Sequence, residues 1–153
     1  MTGQALGSMR RAALALMWLP LATPVLASEE IVVFKGETCG CCVKWIDHLR
    51  GAGFEVRGVN VSRLGAVQAR FSVPRDLRSC HTAVVAGYVI DGHVPAADIK
   101  RLLKERPTVA GLAAPGMPQG SPGMESRNAK PYRIMSFTKD GTVAHYATHP
   151  PSE

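Results

Sequence analysis

The segment from Ile31 to Val59 constrains the fold more than any other. A short apolar run, Ile31-Val32-Val33-Phe34, ends at Gly36 and reads as a buried strand. Val43, Ile46, Leu49 and Ala52 then recur at helical spacing until Gly51 and Gly53 stop the pattern. Phe54 to Val59 alternates apolar and polar residues, as a second strand does. Two strands joined by one crossover helix lie parallel in one sheet, so the chain is committed to an α/β fold. Between the first strand and the helix stand three cysteines in four residues, Cys39, Cys41 and Cys42.

The rest of the pattern extends this unit. Ser62 is placed to N-cap a second helix carrying Leu64, Val67 and Phe71, closed by Pro74. Thr82–Val85 and Tyr88–Ile90 flank Ala86-Gly87 as a hairpin, and Asp91-Gly92 marks a further turn. Pro95 starts a third helix, with Asp98 near its positive end and Ile99, Leu102 and Leu103 on its apolar stripe. The predicted order is strand–helix–strand–helix–strand–strand–helix. Residues 111–124 are rich in Gly, Pro and Met and are expected to form a loop without regular structure. A last hairpin over 132–146 turns at Lys139-Asp140-Gly141, and residues 150–153 form a tail.

Residues 1–27 have the pattern of a secretory signal peptide. Arg10 and Arg11 precede an apolar stretch from Ala12 to Leu19, and Val25-Leu26-Ala27 offers a small-residue cleavage site. Pro20 and Pro24 break that stretch, which argues against the alternative of an uncleaved membrane anchor. The folded domain is thus expected over 28–149, exported and soluble. Of 18 basic residues the leader holds two, leaving 16 against 12 acidic ones, a net charge of +4. This mild, scattered charge excludes nucleic acid as a partner and suits at most loose contact with an anionic membrane surface.

All four cysteines lie in the exported part. A structural framework spreads its cysteines to close long loops, whereas clustering favours chemistry. Cys39 and Cys42 form a CxxC at a helix N-terminus, where the dipole stabilises thiolate. A thiolate is both the nucleophile of disulfide exchange and a soft-metal ligand, so the CxxC alone leaves both open. Cys41 in its middle adds a ligand to a metal site and nothing to exchange. Cys80-His81 precedes the strand at Thr82, on a loop that faces the CxxC in this topology, and Met117 and Met124 offer thioether sulfur suited to Cu(I). Each feature has a structural alternative. The alternative for Cys80 is a small buried hydrophobe, for His81 a hydrogen-bonded turn residue, and for the methionines loop packing. His48 lies too far along its helix to join the cysteines, and His93, His145 and His149 have no partner at ligand spacing. Adjacent Cys41 and Cys42 fit poorly around one tetrahedral zinc, but suit thiolates bridging more than one Cu(I).

Taken together, Thr38-Cys39-Gly40-Cys41-Cys42 with Lys44-Trp45, Leu77-Arg78-Ser79-Cys80-His81-Thr82, Gly92-His93-Val94-Pro95, Pro115-Gly116-Met117-Pro118 and Ser121-Pro122-Gly123-Met124 resemble the CopG-like metal-binding proteins of Gram-negative bacteria. The resemblance runs from about Ile31 to Tyr146. It implies a periplasmic location, a thioredoxin-like domain with an extra C-terminal hairpin, a role in copper resistance, and Cys39, Cys41, Cys42 and Cys80 as copper ligands. His81, Met117 and Met124 are candidate accessory ligands. Beside thioredoxins, Gly40-Cys41 replaces Gly-Pro within the CxxC, and His81 occupies the position of their cis-proline. The expected function is a periplasmic Cu(I)-binding protein more than an enzyme, with other periplasmic copper-handling proteins as partners. The alternative is a thiol-disulfide or copper-linked oxidoreductase with Cys39 as nucleophile and Cys42 as resolving thiol.

Overall fold

The computed structural model describes residues 29–150. The leader over 1–27 and the tail beyond Pro150 lie outside the described residues. Among the described residues, seven strands form one mixed sheet, and three helices pack against it. In chain order these are β1 (Ile31–Lys35), α1 (Gly40–Gly51), β2 (Val56–Asn60), α2 (Leu64–Arg70), a 3₁₀ turn (Arg75–Leu77), β3 (His81–Val85), β4 (Tyr88–Asp91), α3 (Ala96–Glu105), β5 (Gly111–Ala113), β6 (Tyr132–Phe137) and β7 (Val143–His149).

The sheet order is β2-β1-β3-β4-β5-β6-β7. As the crossover requires, β1 and β2 pair in parallel. β3 runs antiparallel to β1 and turns through Ala86-Gly87 into β4. β6 and β7 close the far side as the expected hairpin, which reaches His149, beyond the expected end at Tyr146.

One expectation fails within 111–124. Gly111–Ala113 is not loop but a fully buried strand, parallel to β4 through the α3 crossover and antiparallel to β6. It joins the first four strands to the C-terminal hairpin. Glycine is required at its start, because a Cβ on Gly111 would sit 1.9 Å from the Val89 carbonyl oxygen. Two smaller corrections concern the helices. Arg63, not Ser62, is the N-cap residue of α2, with no side-chain cap. Val43 is 45% exposed, because α1 turns Cys42, Trp45, Ile46 and Leu49 inward instead.

The sheet has apolar clusters on both faces. On one face α1 and α3 bury Trp45, Ile46, Leu49, Ile99 and Leu102 over Ile31, Val33, Ile90, Leu112 and Ile134. On the other, Val73 and Leu77 pack with Val89, Ala113 and Phe137. The larger cluster anchors α1, and the hydrogen bond from Trp45 Nε1 to the Val94 carbonyl (2.8 Å) ties that helix to the segment after β4. These two attachments fix where the N-terminus of α1, with its cysteines, meets the start of β3.

Candidate metal centre

Cys39 is the N-cap residue of α1, and Cys41 and Cys42 lie in its first turn. Their sulfur atoms sit where the helix leaves backbone N–H groups unpaired and the dipole favours negative charge. Cys80 immediately precedes β3. Because Lys35 at the end of β1 pairs with His81, Cys80 emerges beside the start of α1. Its Sγ lies 3.8 Å from Cys41 Sγ and 3.6 Å from Cys42 Sγ, and Cys39 Sγ is 3.5 Å from Cys41 Sγ. All four sulfur atoms lie within 4.8 Å of one another. Cys39 and Cys42 are joined as a disulfide, while Cys41 and Cys80 are free. Reduction of that bond yields four thiols at one point.

Two solved structures, described as "Copper resistance protein copG- Form 2" and "Copper resistance protein copG- Form 1", are similar to this chain. Each is 42% identical with a TM-score of 0.76, covering 81% of this chain and 100% and 99%, respectively, of its own. The chain belongs to the CopG family. Residues 77–124 also match the family described as "Protein of unknown function, DUF411". No curated protein matches. CopG membership and the cysteine cluster together indicate a copper-related function.

Around the sulfur atoms this CopG-family chain adds a second donor group, Cys80, His81 and His93. His93 Nε2 is 3.2 Å and His81 Nδ1 3.4 Å from Cys80 Sγ. A carbonyl only accepts, so the 2.8 Å contact between His93 Nδ1 and the Pro122 oxygen assigns the proton to Nδ1. Nε2 is left as the acceptor facing sulfur. His93 is therefore a correction to the sequence reading, which gave it no partner. His81 is fully buried against the Trp45 ring, with centroids 4.3 Å apart, and its Nε2 has no hydrogen-bond partner. His81 therefore offers Nδ1, and not this Nε2, to the sulfur atoms.

The remaining candidates fall at different distances from this centre. Met124 lines a cleft of about 460 Å³ together with Gly40, Cys41, Lys44 and Glu125, whereas Met117 is 53% exposed. The loop between them is pressed on α1: a Cβ on Gly123 would lie 2.9 Å from the Cys41 oxygen and from the Trp45 nitrogen. His48, expected to lie apart from the cysteines, accepts a hydrogen bond from the Ala96 N–H (3.1 Å) and helps dock α3. His145 contacts Thr148, and His149 pairs with Asp98. Neither belongs to a donor cluster among the described residues.

A buried polar network holds the Cys80 segment. Asp91 Oδ1 accepts from the Ser79 N–H at 2.7 Å, and its Oδ2 accepts from Thr82 Oγ1 at 2.7 Å and Gln68 Nε2 at 3.2 Å. Gln68, the only buried residue of α2, also donates to the Ser79 carbonyl.

Burial dominates the proton equilibria here. It pushes the Cys80 thiol up to about 12, with neighbouring Cys41 adding to the shift, so metal binding at neutral pH has to displace that proton. It pushes His81 down to about 3, His93 adding to the effect, and it also lowers His93 and His48. Asp91 rises to about 6, because burial outweighs the hydrogen bonds from Thr82, Ser79 and Gln68 that favour its carboxylate. A histidine depressed in the folded state leaves the unfolded chain holding more protons below 6.5, so stability falls with acidification. Asp91 opposes this between about 6 and 3.8, where the folded state holds the extra proton. The His81 shift is larger than that of Asp91, and His93 and His48 act in the same direction as His81. The urea midpoint of the metal-free protein is therefore expected to drop from about pH 7 to about pH 5. His81→Gln is expected to flatten that slope, and an unchanged slope would remove His81 as a source.

Proposed function

We propose that the protein holds Cu(I) in the periplasm through the thiolates of Cys39, Cys41, Cys42 and Cys80, carried on a thioredoxin-like domain, and contributes to copper resistance. The observation that carries this reading is the meeting of four sulfur atoms from two distant chain segments within 4.8 Å. Thiolate is a soft donor that selects Cu(I) over the harder divalent ions. Cys80 is shared between the four-sulfur group and the group with His81 and His93, which suits more than one ion. His81 and His93 are then accessory ligands, and Met124, beside Cys41, is a better placed thioether than Met117. The thioredoxin-like reading is supported by the order β1-α1-β2-α2-β3-β4-α3 and the sheet order β2-β1-β3-β4. The periplasmic location rests on the leader sequence. No helix among the described residues is long and apolar enough to cross a membrane. Other copper-handling proteins of that compartment are the natural donors or acceptors of the ion.

The Cys39–Cys42 disulfide favours a second reading, a thiol-disulfide oxidoreductase with Cys39 as nucleophile and Cys42 as resolving thiol. One comparison separates the two. Protein reduced without oxygen is titrated with Cu(I) against a competing chelator, and insulin reduction is assayed on the same sample. Tight uptake that weakens as pH falls, with no reductase activity, is the expected result. Reductase activity without uptake would replace the copper reading with the second.

A further inference from the structure

We propose that Cys41 and Cys80 form a second disulfide, with Cys41 as the thiol that meets a low-molecular-weight disulfide and Cys80 as the thiol that resolves it. This makes the centre a four-electron dithiol pair. The inference concerns the metal-free protein and holds whether or not Cu(I) binds.

Cys39 and Cys42 are already paired, which leaves Cys41 and Cys80 as the two free thiols, each partly exposed and 3.8 Å apart. A disulfide needs that separation to shorten to about 2.05 Å. Cys42 is fully buried and so closed to an external reagent. Cys41 instead lines the cleft of about 460 Å³ with Gly40, Lys44, Gln119 and Glu125. The Lys44 ammonium and Glu125 carboxylate offer partners for the carboxylate and ammonium groups of a zwitterionic peptide disulfide such as oxidised glutathione.

The chemistry balances as two exchange steps. Cys41 thiolate attacks one sulfur of the small disulfide, the S–S bond breaks, one thiolate departs, and a mixed disulfide forms on Cys41. Cys80, after giving its proton to water, attacks Cys41 Sγ and expels the second small thiolate. The protein loses two electrons and two protons, and the small disulfide gains both as two thiols. With the Cys39–Cys42 pair also oxidised, all four sulfurs are then consumed, and α1 is tied to the start of β3.

The test incubates reduced, metal-free protein with oxidised glutathione, quenches with acid, and reads intact mass and cross-linked peptides. The expected wild-type product is lighter than the reduced protein by four hydrogens, retains no glutathione, and yields the Cys39–Cys42 and Cys41–Cys80 linkages. Cys80→Ser is expected to stop at the mixed disulfide, carrying one glutathione on Cys41. A wild-type product in which Cys41 and Cys80 both remain alkylatable once Cys39–Cys42 has formed would overturn the proposal. So would a linkage map pairing Cys42 with Cys80, or a Cys80→Ser protein that leaves Cys41 unmodified. The wild-type map decides the matter without depending on how any variant folds.

Discussion

Cys80→Ser is expected to lower the Cu(I) affinity of the reduced protein by on the order of 1,000-fold, since loss of even an outer-shell partner of a metal ligand typically costs 10–100-fold. Serine offers a hard oxygen where a soft sulfur stood. Cys80 also connects the two donor groups, so its loss removes a ligand from both and should reduce the number of ions held. The fold should persist. Cys80 is partly exposed, and the network of Asp91, Gln68 and Ser79 that positions its segment does not use its side chain. Competition with a Cu(I) chelator measures the affinity, and a urea titration of the same variant verifies the fold. A Cys80→Ser protein that binds the full complement of copper at unchanged affinity would show that the Cys39, Cys41 and Cys42 trio suffices.

Trp45→Ala is expected to cost about 3–5 kcal/mol for the lost side chain and its cavity, plus about 1–3 kcal/mol for a buried carbonyl left without its donor. Trp45 is fully buried, its Nε1 donates to the Val94 carbonyl, and its ring lies 4.3 Å from that of His81. A domain of this size has about 5–15 kcal/mol of stability in all, so the variant should be near or past its folding threshold at room temperature. Trp45→Phe keeps most of the bulk and loses only the N–H, and should fall between. Urea unfolding followed by far-UV circular dichroism gives both values. A loss below about 1 kcal/mol for the alanine variant would mean that the site region repacks freely around α1.

Much of this arrangement was legible in the sequence, for reasons that differ by element. The first crossover unit and the β3–β4 hairpin announce themselves through periodicity and turn residues, and from them the approach of Cys80 to the CxxC follows. β5 did not. Gly111, Leu112 and Ala113 carry little strand propensity, and their extended form is set by β4 on one side and β6 on the other. The spacing puts Leu64, Val67 and Phe71 on one face of the second helix, yet the buried residue of α2 is Gln68, a polar side chain recruited by Asp91. His93 was missed although a signal existed. Counting outward from the two-residue turn Ala86-Gly87, with Thr82 opposite Asp91, brings residue 93 level with residue 80. Linear ligand spacing hides that proximity, while hairpin register exposes it. The CxxC spacing did not say whether the pair is oxidised, because the same geometry serves the thiol and disulfide forms.

The contact between His93 and the Pro122 oxygen has an evolutionary side. Which imidazole nitrogen looks toward the sulfurs is dictated by a peptide group, and every amino acid brings that same oxygen. Point substitution at position 122 can leave the instruction intact, whereas an insertion or deletion that shifts the loop would erase it. Among diverging relatives, the spacing of this stretch should accordingly be guarded more closely than the identity of the residue that supplies the oxygen.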